Sequence, residues 1–138
     1  MGAYTMKRGY FAIYRKFQDN FLWKERRVFS RAETWIDILM NVQHKETPKK
    51  VIIGNMVLYC NYAESLKSLE TWANRWGWSR SKVKRFLDLC VSEDMIVVKN
   101  ETVTTRLRVI NYKLYDPKRN AIETQSKRNR TQTRMIRM

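Results

Sequence analysis

Arg80, Ser81, Lys84 and Arg85 fall within six consecutive positions of the chain. On a helix they project away from Val83, Phe86, Leu87 and Cys90, whose i, i+3, i+4, i+7 spacing lines one apolar stripe. The chemistry open to such a set is recognition of a polyanion. A guanidinium donates in parallel to a guanine edge or a phosphate, an ammonium offers a point charge, and a hydroxyl bonds to either. Ser79 sits just ahead of them, where a helix begins and its free amides favour phosphate. A second basic set is Lys99, Arg106 and Arg108, the last two spaced to share one face of a strand. A third, Lys118, Arg119, Lys127, Arg128 and Arg130, lies near the C-terminus. The plainer readings are a solvated helix face for the first set and arginines guarding a strand edge for the second.

Residues suited to bond-making are scarce. His44 is the only histidine and lies in a polar stretch containing Pro48, so any Ser/His or Cys/His arrangement would rest on it alone. Cys60 and Cys90 are too far apart to form a zinc-ligand pair with that histidine. No glycine-rich loop is followed by Lys and Ser/Thr, and Glu93–Asp94 read as a solvated turn. We therefore expect neither an enzyme nor a metal or other cofactor.

The elements that must position the basic sets are legible from caps and periodicity. Ser68 opens one helix, Gly77 can take the left-handed conformation that ends it, and Ser79 opens the next. Helix, glycine-containing turn and helix make a helix-turn-helix. Upstream, Ser30 and Glu33 form a capping box, with Phe29 placed to staple. Ala32, Trp35, Ile36 and Leu39 then predict a helix over about 31–42 buried along that stripe. Gly54–Asn55 between Val51–Ile53 and Met56–Tyr59 predicts a hairpin, and Ser65–Leu66 a short strand. Met95–Lys99, a turn at Asn100–Glu101 and a return over Thr102–Tyr112 predict a second hairpin, with Val103, Leu107 and Val109 inward. A hairpin directly after a helix-turn-helix is a wing. Gly9–Lys16, aromatic and β-branched, is read as the start of a short strand.

The fold class expected is therefore α+β: a winged helix-turn-helix of about three core helices and a β-hairpin wing, with a disordered basic tail. Residues 1–8 form an N-terminal arm, 9–116 the domain and 117–138 the tail or linker. Of 138 residues, 28 are Lys or Arg and 13 Asp or Glu, a net charge of +15. From Pro117 onward seven bases and one acid carry +6, leaving +9 on residues 1–116, so the body is basic without its tail. Such an excess steers association with polyanions and makes nucleic acid the leading partner; with the helix-turn-helix and wing, the partner expected is double-stranded DNA. No stretch approaches the roughly 18 uninterrupted apolar residues of a membrane span, and no signal peptide is visible after Met1–Arg8. A cytoplasmic location, with two free buried thiols, is the expectation.

Gly9–Tyr10–Phe11, Phe29–Ser30–Arg31–Ala32–Glu33–Thr34–Trp35–Ile36–Asp37, Trp76–Gly77–Trp78–Ser79–Arg80 with the basic helix after it, and Asn111–Tyr112–Lys113–Leu114–Tyr115 form a recognisable pattern. Over about residues 9–116 the chain resembles the N-terminal winged-helix domain of phage replication proteins of the DnaD-like, replisome-organiser type. The resemblance implies origin-DNA binding in replication initiation, sometimes with self-association through this domain. Proteins of that type continue through a polar linker into a helical domain tied to helicase loading. Met138 falls inside what reads as that linker, so helicase loading is not carried over. The rival readings are a transcriptional regulator of the same fold and, from another class, a protein-interaction module aimed at host replication or defence machinery.

Overall fold

The computed structural model describes residues 9–116; the arm 1–8 and the tail set Lys118, Arg119, Lys127, Arg128 and Arg130 lie outside the described residues. The N-terminal segment is not the strand expected over Gly9–Lys16. Gly9–Tyr14 have no regular structure, Arg15–Asp19 form a 3₁₀ turn, and α1 (Phe21–Lys24) is one turn capped by Asn20. Rings rather than a ladder hold this segment: Phe17 meets Trp23 at 5.8 Å between centroids, and Trp23 meets Phe29 edge-on at 5.4 Å.

Helix α2 (Arg31–Asn41) begins at the expected capping box. The Glu33 amide donates to Ser30 Oγ at 3.2 Å, and Glu33 Oε1 accepts from the Ser30 amide at 2.9 Å. Its buried face is rotated from the apolar stripe read in the sequence. Ala32 is exposed and Trp35, Ile36 and Leu39 are half-buried, while Thr34, Asp37, Ile38 and Met40 are buried. The reason is Asp37, fully enclosed yet satisfied. It accepts from Arg75 Nη2 at 2.6 Å and Nε at 2.9 Å, from Trp76 Nε1 at 2.8 Å and from Asn41 Nδ2 at 2.9 Å. Buried charges survive only when paired and hydrogen-bonded in this way.

Strands β1 (Lys49–Ile53) and β2 (Met56–Cys60) make the first hairpin around Gly54–Asn55, Ile53 opposite Met56. The predicted strand at Ser65–Leu66 is β3 (Glu64–Ser65). Helix α3 (Leu69–Trp76) and helix α4 (Arg80–Ser92) follow, capped by Ser68 and Ser79 and joined through Gly77 at φ +67°. A Cβ at Gly77 would stand 3.4 Å from the Arg27 carbonyl, so both conformation and space call for glycine. The Phe29 amide donates to the Trp76 carbonyl at 3.0 Å, and Trp78 Nε1 donates to the Phe29 carbonyl at 2.8 Å. The turn is thereby clamped to the entry of α2.

The second hairpin is β4 (Ile96–Asn100) and β5 (Thr105–Val109). β5 lies between β4 and β3 in a three-stranded antiparallel sheet of order β3-β5-β4. The return strand is shorter than expected: residues 101–104 form the turn, and Val103 is exposed there. The domain is thus α+β, with four helices and two small antiparallel sheets among the described residues. Its core joins Ile38, Trp72, Trp76, Val83, Phe86, Leu87, Ile96, Leu107 and Val109. Trp72 stacks on Trp76 within α3 at 5.0 Å, and the edge contacts of Phe86 with Trp76 and Trp78 bind α4 to α3 and the turn. No helix among the described residues is long and apolar enough to cross a membrane.

Asp37→Ala leaves the Arg75 guanidinium and the Trp76 indole without their acceptor and is expected to cost about 3 kcal/mol in urea unfolding. Asp37→Asn, which keeps an acceptor oxygen, should lose less; equal losses would mean that the side-chain volume, not its hydrogen bonds, holds α2 to α3.

Candidate nucleic-acid interface

Helix α4 buries Val83, Phe86, Leu87 and Cys90, as its periodicity predicts, and this fixes which residues face outward. Arg80, Ser81, Lys84 and Arg85 are all exposed. Ser79 is the N-cap, its Oγ accepting from the Lys82 amide at 3.1 Å. Arg80, Ser81 and Arg85 make no side-chain hydrogen bond or ion pair among the described residues, whereas Lys84 reaches Asp88 at 3.1 Å. That i, i+4 pair is well exposed and worth no more than a few tenths of a kcal/mol, so it yields readily to a better anion. Lys82 is a sixth polar group at this end which the sequence reading passed over. Its ammonium stands 4.2 Å from the centroid of the Trp78 ring, a contact signalled only by the i, i+4 spacing across the cap.

The charge order along α4 opposes the helix dipole. Helices α2 and α3 carry Glu33 and Glu70 in their first turns, and α3 carries Arg75 in its last, as backbone electrostatics favour. Helix α4 has no acid in its first turn and no base in its last. Its bases, Arg80, Lys82, Lys84 and Arg85, crowd the N-terminal half, while Asp88 and, just past the end, Glu93 and Asp94 follow at the other. Its cationic N-terminal half is the more stable the closer an anion stands to it.

On the β4–β5 hairpin the predicted basic set divides. Lys99 and Arg106 are opposite one another in the ladder, and Arg108 is opposite Val97 on β4 and Glu64 on β3. Lys99 is exposed, its Nζ only 3.9 Å from Glu101 Oε1, and Arg108 is exposed without an ion pair among the described residues. Arg106 corrects the expectation of a free phosphate contact. Its Nε donates to Glu101 at 2.7 Å, and its Nη1 donates to Glu64 at 2.5 Å and to the Tyr59 carbonyl at 2.7 Å. Arg106 therefore rivets the β1–β2 hairpin to β3 and β5. Its hydrogen bond holds the Glu101 carboxyl below the ordinary carboxylate range.

No group of His, Cys, Asp and Glu among the described residues is arranged to hold a metal ion. Cys60 and Cys90 are free and buried, and burial pushes both thiols up, Cys90 to about 11, so both stay protonated at neutral pH. The site presents cations and hydroxyls to an external surface; what it can do chemically is hold anions.

Arg106→Ala should lower stability by about 1–3 kcal/mol by taking from the buried Glu64 its only cation and leaving Glu101 with Lys99 alone, whereas Arg108→Ala should stay within about 0.5 kcal/mol of the parent. Denaturant midpoints check both, and similar losses at the two positions would contradict this division of roles. No family model, curated protein or solved structure matches this chain.

Proposed function

We propose that residues 9–116 form a winged helix-turn-helix domain that binds double-stranded DNA, serving replication initiation in a phage or related mobile element. Helix α4 enters the major groove, with Arg80, Ser81, Lys84 and Arg85 toward base edges and phosphates. The β4–β5 hairpin is the wing, and Lys99 and Arg108 rest on the backbone. The tail residues Lys118, Arg119, Lys127, Arg128 and Arg130 add affinity without sequence preference. The assignment to replication rests on the resemblance to DnaD-like domains.

The observation that carries the DNA reading is the inverted charge order of α4. A sequence that breaks a local stability rule without internal compensation does so at functional sites. A phosphate backbone supplies the missing counter-charge, and bidentate arginine–guanine contacts add about 1–3 kcal/mol of discrimination each. Net charge alone would be weaker support, because a basic surface can simply be solvated.

This reading makes stability and binding move in opposite directions. Arg80→Glu with Arg85→Glu should raise stability by about 0.3–1 kcal/mol at low salt while abolishing binding to a labelled random duplex in fluorescence anisotropy. A chain ending at Asp116 should still bind. For it, the log–log salt slope is expected to count phosphate contacts at about 0.9 each. If the double variant binds like the parent and only removal of the tail matters, α4 is not on DNA.

A second reading, a protein-interaction module, is favoured by the N-terminal segment. Phe11 is 89% and Tyr14 83% exposed along a shallow apolar hollow of about 710 Å³, and Tyr10, Phe21 and Leu22 nearby in the chain are also open. Exposed apolar area of this kind marks interaction sites. Self-association or a replication or host protein would cover it. Phe11→Ser with Tyr14→Ser is expected to leave duplex binding intact and to lower the sedimentation coefficient if copies of this chain meet there.

A further inference from the structure

A second cationic site lies away from α4, in a cleft of about 530 Å³ between the end of α2, the β1–β2 hairpin and the residues around β3. Arg15, His44, Lys49 and Lys67 line it. In the sheet order β3-β5-β4 it sits by β3, the opposite edge from β4, which follows α4 in the chain. The cleft wall is fixed by backbone bonds: Gln43 donates to the Glu64 carbonyl at 2.8 Å and accepts from the Ala63 amide at 2.7 Å.

The acids around the cleft are already engaged. Glu64, the carboxylate lining it, accepts from Arg106 and from the Asn61 amide at 2.9 Å. Asp37 behind it is held by Arg75 and Trp76, and Asp116 accepts from Tyr62 Oη at 3.2 Å. The neutral amides are engaged as well, Asn41 with Asp37 and Gln43 with the Thr47 carbonyl. The cations are not. Lys67 is half-buried and Lys49 exposed, and neither makes an ion pair among the described residues; the Lys67 ammonium has only the Trp72 ring, 6.0 Å away. Arg15 donates to Tyr112 Oη through Nη2, but its buried Nε has no acceptor. Burial, then repulsion from Arg75, lowers the Lys67 pKa, with Asp37 opposing and Lys49 adding to the fall; burial, then Arg15 and Lys45, lowers that of His44 against a smaller pull from Asp116. A half-enclosed ammonium and a guanidinium with an orphaned donor, in a pocket whose carboxylate is spoken for, lack a counter-anion.

We propose that this cleft binds a phosphate-bearing anion through Lys49, Lys67 and the unsatisfied edge of Arg15. A phosphate offers several acceptor oxygens to such converging donors, and the cleft falls in the size range of small-molecule sites. The phosphate could belong to a free nucleotide or to a nucleic-acid backbone crossing the hairpin, and the two are separable. The site does not depend on α4 being a DNA-reading helix.

The test uses the full chain with sodium pyrophosphate and ATP in isothermal titration calorimetry at matched ionic strength. The same titrations are made on Lys49→Met/Lys67→Met and on Arg80→Glu/Arg85→Glu. A free-phosphate site is expected to give saturable binding that weakens at least tenfold in the methionine variant and is unchanged in the glutamate variant. If neither probe binds but the methionine variant lowers duplex affinity and flattens its log–log salt slope by about 1–2, the phosphate is a backbone one and the site stands. Amide spectra of the parent guard against a methionine variant that fails to fold. Pyrophosphate, or else a short duplex, should shift Gln43, Ser65 and Lys67, and pyrophosphate should leave Arg80–Arg85 in place. Absence of these shifts with both probes, binding that survives the methionine variant, or no binding with an unchanged salt slope overturns the proposal.

Discussion

The Asp37 carboxylate is the interaction on which the placement of α3 and α4 turns. It is enclosed completely, and its oxygens are met by a two-pronged guanidinium from Arg75, the indole of Trp76 and the amide of Asn41. Such a site is unforgiving, since removing either side strands a charge or a donor in a dry interior. The geometry consequently fixes how α3 lies on α2. The last turn of α3 then fixes the linker, because Trp76 is both a donor to Asp37 and, through its carbonyl, the acceptor of the Phe29 amide. Gly77 passes close under the Arg27 carbonyl, Trp78 reaches back to Phe29, and α4 starts where Ser79 caps it. A chain of short polar contacts from α2 thus sets the direction in which Arg80 and Arg85 project, and on the proposed reading it preorganises the helix that meets DNA.

The same logic separates two uses of positive charge. Arg27, Arg75 and Arg106 are each within 2.9 Å of a carboxylate oxygen and act as internal connectors. Arg27 also lies 4.7 Å from the Trp23 ring and 4.2 Å from the Phe29 ring, so its loss would loosen packing as well as charge. Arg80, Arg85 and Arg108 have no such partners among the described residues. Which role an arginine plays is decided by whether an acid stands within reach, not by the density of bases around it.

That distinction also marks how far the sequence could be read. The apolar stripe of α4, the serine caps, Gly77 and the turn at Gly54–Asn55 are local signals, each spanning a few residues, and each element appears where its signal predicts. Strand alternation likewise put Arg106 and Arg108 on the face away from Leu107 and Val109. What separates the two arginines is Glu64, 42 positions from Arg106. Asp37 was invisible for the same reason. Apolar periodicity placed Ala32, Trp35, Ile36 and Leu39 inward, whereas the observed face includes Thr34 and Asp37, because donors 38 and 39 residues away make an inward carboxylate tolerable. The N-terminal segment departs in the other direction: aromatic and β-branched residues favour strands only where an edge is open to them, and Gly9–Tyr14 pair with no strand, leaving Tyr10, Phe11 and Tyr14 exposed. The Lys49–Lys67 cleft left no local signal, since its walls come from separate stretches of chain.

Counting charge closes the argument about where anions must come from. Residues 1–116 carry +9, and subtracting Lys7 and Arg8 leaves +7 on residues 9–116. Acids are too few to neutralise the bases, and four of them are consumed by the connectors. Glu33 goes to Arg27, Asp37 to Arg75, and Glu64 and Glu101 to Arg106. Bases without an acid partner among the described residues stand at the start of α4, at Arg108 on β5 and in the β3 cleft, and others, such as Lys16, Lys24, Arg26 and Lys50, are spread over the exposed surface. The self-repulsion is modest for exposed groups spaced by more than a Debye length of about 8 Å in physiological salt. It is sharper where cations converge in a half-enclosed space, as Lys49 and Lys67 do beside Arg75. Two such concentrations, at the start of α4 and in the β3 cleft, are poorly explained by solubility, which needs charge but not its clustering. Binding of anions at each place relieves the repulsion that clustering creates, so the free protein's least comfortable electrostatic positions are its best candidates for recognition.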